Sequence, residues 1–141
     1  MSYLIDTCCI SELIKPRPDA GVRDWFAAQD EFDLYLSVIT FGELRFGIDR
    51  LPESARKEEL RRWVAGNLEK RFQNRILPIS KLTAEHWGSL RASLEKRGRP
   101  HPVLDLYIAA TAMANDLCVV TRNVEDLKLT GVPVVNPWKT P

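Results

Sequence analysis

The stretch Tyr3-Leu4-Ile5-Asp6-Thr7-Cys8-Cys9-Ile10-Ser11-Glu12-Leu13 decides how the rest of the chain is read. Tyr3, Leu4 and Ile5 form a short apolar run of strand formers, which reads as a buried strand. The run stops at the carboxylate of Asp6, and the hydroxyl of Thr7 follows. Ile10, Leu13 and Ile14 then recur at helical spacing, and Pro16 and Pro18 close that helix. Asp6 therefore stands where a strand hands over to a helix. In open parallel α/β sheets, ligand sites form outside the carboxyl ends of the strands. A carboxylate there suits a hard cation such as Mg²⁺. The same Asp reads equally well as a helix N-cap. The choice depends on whether other carboxylates arrive at the same place.

Outward from this stretch, strands and helices alternate. Residues 20–29 predict a helix with Val22, Trp25 and Phe26 on one face. Leu34 to Val38 predict a second strand. Thr40, with Glu43 three residues later, has the spacing of a capping box for a helix carrying Leu44, Ile48 and Leu51 and ending at Pro52. Residues 54–72 form the longest predicted helix, with Leu60, Trp63, Val64 and Leu68 as its apolar stripe and charge on its other faces. Ile76 to Ile79 predict a third strand, and Pro78 implies that it lies near a sheet edge or ends early. Thr83 opens a helix through Trp87, Leu90 and Leu94 to Gly98. A loop with Pro100 and Pro102 follows. Asp105 then opens a helix so apolar (Leu106, Ile108, Ala109, Ala110, Ala112, Met113) that it must be buried. Leu117 to Val120 form a fourth strand, ended by Thr121-Arg122-Asn123, and residues 131–136 a last one. This alternation implies a parallel sheet covered on both faces, with right-handed crossovers.

A chain of 141 residues predicts a single domain, 1–141. With 45% hydrophobic and 28% charged residues it has the balance of a soluble globular protein. The net charge of +1 neither demands nor excludes a nucleic-acid partner, so local charge must decide. No apolar run reaches the length of a membrane span, and no basic leader precedes a long apolar segment. The three cysteines, Cys8, Cys9 and Cys118, are odd in number and poorly spaced for zinc. They read as small buried residues in a reducing cytoplasm.

Three further polar points fall at element boundaries. Glu43 is placed in the first turn of the helix after the second strand. Asp105 opens the buried helix. Thr121, Asn123 and Asp126 follow the fourth strand. Singly, each has a structural explanation as a capping or loop residue. Together, Asp6, Glu43 and Asp105 all stand beside strand ends. Clustered like charges are tolerated mainly when a cation neutralises them, and oxygen-only sites suit Mg²⁺ or Mn²⁺. A single ion would require the three carboxylates to converge within roughly 10 Å of one another.

Four segments, Asp6-Thr7-Cys8-Cys9-Ile10-Ser11-Glu12-Leu13, Thr40-Phe41-Gly42-Glu43-Leu44-Arg45-Phe46-Gly47, Asp105-Leu106-Tyr107-Ile108-Ala109-Ala110-Thr111-Ala112 and Thr121-Arg122-Asn123-Val124-Glu125-Asp126-Leu127, together resemble a PIN domain. The closer resemblance is to the VapC and FitB toxins of type II toxin–antitoxin pairs, and Gly131-Val132-Pro133 with Asn136-Pro137-Trp138 is similar to the end of FitB-like members. The resemblance covers essentially the whole chain. It implies a three-layer α/β/α sandwich around a mainly parallel sheet of four to five strands, and a Mg²⁺-dependent endoribonuclease, with Mn²⁺ as a substitute. The RNA would be tRNA, rRNA or mRNA. Matched by motif, Asp6, Glu43 and Asp105 are its three main acids. Asn123 stands where some members carry a fourth acid, and Asp126 is the nearest remaining carboxylate. Cys8 stands where relatives often carry Asn or Ser. In this reading Asp6 and Asp105 ligate the metal directly. Glu43 ligates through water or serves as the base that orients the attacking water. Thr7, Thr121 and Asn123 hold the metal water or the phosphate. The implied partners are RNA, a VapB/FitA-like antitoxin and a second copy of the chain, with the antitoxin completing a heterotetramer or larger assembly.

Three other placements carry alternatives. Residues 54–75 hold seven bases against three acids and read either as a guide for RNA phosphates or as a solvated, salt-bridged helix face. Arg97, Arg99 and His101 read as contacts to a scissile phosphate or as exposed loop charge. Trp25, Trp63 and Trp87 read as core or interface. Other functions are weighed on particular residues. A haloacid-type phosphatase needs a second Asp two residues after the first, where this chain has Cys8. A response receiver needs paired acids near the first strand. A PIN-like module that binds RNA or a partner without cleaving stays open because of Asn123.

Overall fold

The computed structural model describes residues 1–139. Five short strands form one sheet in the order β3-β2-β1-β4-β5, with every pairing parallel. They are β1 (Tyr3–Ile5), β2 (Leu34–Ser37), β3 (Ile76–Leu77), β4 (Cys118–Val120) and β5 (Val134–Val135). The first strand is central because it is apolar on both faces: Leu4 and Ile5 are fully buried. Leu4 belongs to one core layer with Leu90, Leu94, Leu106, Ala109 and Val119. Ile5 belongs to the other, with Ile10, Val22, Phe26, Leu36, Leu68 and Phe72. A parallel sheet buried on both sides must alternate its side chains between two such layers.

The helices are α1 (Thr7–Leu13), α2 (Ala20–Ala27), α3 (Val38–Asp49), α4 (Ala55–Arg62), α5 (Glu69–Arg71), α6 (Lys81–Lys96), α7 (Val103–Asn115) and α8 (Val124–Lys128). The apolar helix anticipated at Asp105 is α7, and Leu106, Ile108, Ala109, Ala110 and Ala112 are all buried. The edge position anticipated from Pro78 is that of β3.

Several local expectations are corrected. The cap of α3 is Ser37, whose Oγ accepts from Ile39 N at 3.0 Å, and not Thr40. Because the helix starts at Val38, Glu43 lies in its second turn and Thr40 is fully buried. Likewise Ser80 and not Thr83 caps α6. The helix after β2's partner loop is also less regular than its sequence implied: between α4 and α5, residues Trp63–Leu68 wind as a π-helix. In α7 the residue before the helix is Pro102, and Asp105 sits inside the first turn without capping it. Gly98 ends α6 at φ +66°, a left-handed conformation that suits glycine, and Arg99 N donates back to Leu94 O at 2.8 Å. That turn sends the chain toward α7 and the carboxyl edge of the sheet.

The two charged segments also differ from expectation. In 54–75, Lys57 is buried, and its Nζ donates to Leu51 O at 2.9 Å and Glu53 Oε1 at 2.7 Å. Arg75 is buried as well, and Arg56, Arg61 and Arg71 pair with Glu59, Glu58 and Glu31. Most of the apparent positive charge is thus consumed within the chain. His101 does not face outward: Nδ1 lies 2.7 Å from Arg99 O and Nε2 lies 2.6 Å from Asp126 O, so the ring ties its loop to α8. Trp25 packs edge-on to Tyr3 and Phe26, and Trp87 stacks on Tyr107 at 5.0 Å, as core residues do.

Candidate functional site

β1 ends at Ile5, paired with Val120, and β2 ends at Ser37. Both strands therefore hand over to loops and helices at one edge of the sheet, where Asp6, α3, Thr121 and the start of α7 gather. Asp6 begins α1, and its Oδ1 accepts from Thr7 N at 2.8 Å. Capping occupies only this oxygen. Oδ2 accepts from Thr121 Oγ1 at 2.7 Å across the β1–β4 pair, and the Cys8 thiol lies 3.7 Å away. Thr121 Oγ1 in turn accepts from Asn123 N at 3.0 Å. The two readings of Asp6 are thus compatible, because one carboxylate caps the helix and also faces the neighbouring strand.

Thr7 links Asp6 to the next element. Its Oγ1 donates to Glu43 Oε1 at 2.6 Å and lies 3.2 Å from Thr40 Oγ1. The short distance is that of a charge-assisted bond. The spacing of Thr40 suggests a cap, but its place beside Thr7 spans 33 residues of sequence separation, which spacing rules cannot reveal. Asp105 is half-buried on the first turn of α7. Burial is the first cause that pushes its carboxyl above the ordinary range, and the charges of Asp6, Glu43 and Asp126 add to it in that order. Asp105 thus feels all three other acids. Asp126 is itself exposed on α8. Arg99 is exposed in the loop before α7 and forms its backbone bond with Leu94.

The donor set can be tested against a hard cation. Asp6, Glu43 and Asp105 offer oxygens only, and the charges of Asp6 and Glu43 disfavour ionised Asp105, a cost that a divalent cation would relieve. Cys8, a free thiol, is a soft donor nearby. Among the described residues no group of three His, Cys, Asp or Glu side chains is arranged to hold an ion as it stands. Glu43 Oε1 is bonded to the Thr7 hydroxyl, and Asp6 is bonded to both Thr7 N and Thr121 Oγ1. The chemistry of the oxygens fits Mg²⁺ or Mn²⁺.

A PIN-domain family model matches residues 3–130. This chain belongs to the PIN-domain family. Its relatives include a VapC ribonuclease of Sinorhizobium fredii, 35% identical over 136 residues that span 96% of this chain and 97% of the relative. The toxin FitB of Neisseria gonorrhoeae is 35% identical over 135 residues, again 96% and 97% of the two chains. A crystal structure of FitAcB from N. gonorrhoeae superposes with a TM-score of 0.93 at 34% identity, covering 98% of this chain and 99% of that one. The three-layer fold anticipated from the motifs is therefore the fold of these PIN relatives. No helix of the described residues is long and apolar enough to cross a membrane.

Proposed function

We propose that this PIN protein is the toxin of a type II toxin–antitoxin pair and cleaves RNA as a divalent-metal-dependent endoribonuclease, with Mg²⁺ as the cation and Mn²⁺ as its substitute. The observation that carries the reading is the hydrogen-bonded line from Thr121 through Asp6 and Thr7 to Glu43, with Asp105 electrostatically coupled to it. The names of the relatives, a ribonuclease and a toxin, support the same reading. Residues 1–141 act as one PIN domain.

A bound divalent cation supplies a water acidic enough to react near neutral pH and neutralises charge on the phosphoryl oxygens. Asp6, Asp105 and Glu43 are assigned to hold it, and Asp126 to contribute charge at the rim. Thr121 and Thr7 N–H fix the Asp6 carboxylate from two sides, so its orientation is set before substrate arrives. The Thr7 hydroxyl holds Glu43 Oε1, which leaves Oε2 to accept a proton from the attacking water. Asn123 offers its side-chain amide to a phosphate oxygen beside Thr121, and Arg99 offers charge from the opposite loop.

The partners follow the same reading: RNA as substrate, a VapB/FitA-like antitoxin, and a second copy of the chain. Exposed Val38, Phe46 and Leu104 beside Glu43 line an apolar surface suited to protein contact. The unpaired thiols of Cys8, Cys9 and Cys118 support residence in the cytoplasm.

The test is expression in a host lacking the antitoxin. Growth arrest is expected from the parent chain and not from Asp6→Asn, which keeps the shape but removes the charge that holds the cation. A folded, equally abundant Asp6→Asn protein that arrests growth as strongly would overturn metal-dependent cleavage as the cause.

A further inference from the structure

A second feature lies on the same edge of the sheet and takes no part in the acid network. β4 and β5 pair in parallel, Val120 against Val135, so both chains leave the sheet at the edge where Asp6 lies. One continues into Thr121 and Arg122, the other into Asn136 and Trp138. Between them opens a cavity of about 460 Å³ lined by Arg122, Val124, Glu125, Lys128, Val134, Asn136 and Trp138, so its single acid faces two bases. The Arg122 guanidinium lies over the Trp138 ring, 5.0 Å from its centroid. Asn136 Oδ1 accepts from Trp138 N at 2.9 Å, which fixes the turn and leaves the amide nitrogen of Asn136 as a donor. Among the described residues Lys128 pairs with Glu125 on the exposed surface, at 3.2 Å, a contact of little strength that an arriving anion can replace.

We propose that this cavity is a nucleotide subsite: it holds one base and its phosphate of single-stranded RNA beside the scissile bond. The assignment rests on the ribonuclease reading above. Charge complementarity favours RNA as the occupant. The acid cluster repels a phosphodiester chain, so the strand needs cations flanking that cluster. The bases of the 54–75 segment are mostly consumed in internal pairs, whereas Arg122 follows directly after Thr121, whose hydroxyl holds Asp6. A guanidinium placed over an indole offers a charged, planar group beside an aromatic ring, and guanidinium planes and aromatic rings are the usual platforms for unstacked RNA bases. Lys128 at the rim meets the phosphate. Asn136 offers a donor to the base edge.

The test is binding of a short fluorescent 2′-O-methyl oligoribonucleotide, checked by gel electrophoresis to be intact after each titration, by the full chain across a salt series. Arg122→Gln and Lys128→Gln are compared with the parent and with Lys70→Gln, a control at an exposed base on α5. Each pocket variant is expected to weaken binding roughly tenfold and to reduce the salt slope by about 0.7. Loss of fold alone would not selectively remove one counterion from the slope, and thermal melts identify misfolded variants. Parental affinity and slope in both pocket variants would overturn the subsite. So would failure of the parent to bind, or loss of antitoxin binding alone, which would make the cavity a protein dock. Pocket-dependent binding by a parent chain that cleaves no RNA with Mg²⁺ or Mn²⁺ would support the subsite while refuting the ribonuclease reading.

Discussion

At Asp6 a single carboxylate serves two neighbours. Oδ1 caps α1 through Thr7 N, and Oδ2 takes the hydroxyl of Thr121 from the adjacent strand. A side chain held at both oxygens keeps its orientation without a ligand. Groups that orient metal-binding residues typically contribute 10- to 100-fold, roughly, to affinity or activity. Thr121→Val removes the bond while keeping the size. It is expected to raise the Mg²⁺ concentration for half-maximal RNA cleavage by about tenfold or more, with the melting temperature little changed. An unchanged Mg²⁺ requirement would show that Asp6 does not depend on Thr121. The place of Asp6 at a strand end was legible because a carboxylate after a strand is a local pattern, whereas Glu43, expected in the first turn of its helix, lies in the second. Thr40 and Thr121 were less legible. Their hydroxyls matter through partners 33 and 115 residues away, and a hydroxyl carries no local mark of what it will touch.

Among the elements, α1 and α2 are joined by a bond that no periodicity announces. Glu12 is buried, accepting from Lys15 Nζ at 3.0 Å and from Asp19 N at 3.1 Å across the Pro16–Pro18 turn. The Lys15 bond foremost, aided by the Asp19 N–H, holds its carboxyl below the usual glutamate range. A carboxyl depressed in the folded state adds stability above its unfolded value, near 4.3, and loses that stability as pH falls through the folded value. Glu12→Gln should therefore flatten the acid side of a plot of urea midpoint against pH. Parallel curves below about pH 4.3 would refute the linkage. Arg75 makes a second joint, between the start of β2 and the segment leading into β3. Its guanidinium donates to the carbonyls of Glu31, Leu34 and Arg71 and lies against the rings of Phe32 and Phe72. Arg75→Met leaves three carbonyls without this donor and should cost about 3 kcal/mol in denaturant unfolding. A loss under about 1 kcal/mol would show that water replaces it freely. Counting Arg75 and Lys57 as surface charge was the natural sequence reading, because composition records charge and not its partners. The strands and the buried α7, by contrast, were readable because runs of apolar residues have few other places to go.

Over the whole molecule, charge is sorted along one edge of the parallel sheet. Acids gather where β1 and β2 end, and Arg122 and Lys128 stand where β4 leads out beside β5. An RNA strand crossing that edge would meet the acids and then a cationic shelf. The fold is that of PIN relatives, and the acids of this chain sit at the carboxyl ends of its strands, where such sheets form ligand sites. The central claim is that those acids cleave RNA only with a divalent cation. The direct measurement is cleavage of single-stranded RNA by the purified chain, stripped of metal and then titrated with Mg²⁺ or Mn²⁺, alongside Asp6→Asn and Asp105→Asn. The account predicts no cleavage in chelator, recovery with either cation, and a loss of about a hundredfold or more in both variants. Cleavage that persists in chelator, or parental rates from a folded Asp105→Asn protein, would contradict it.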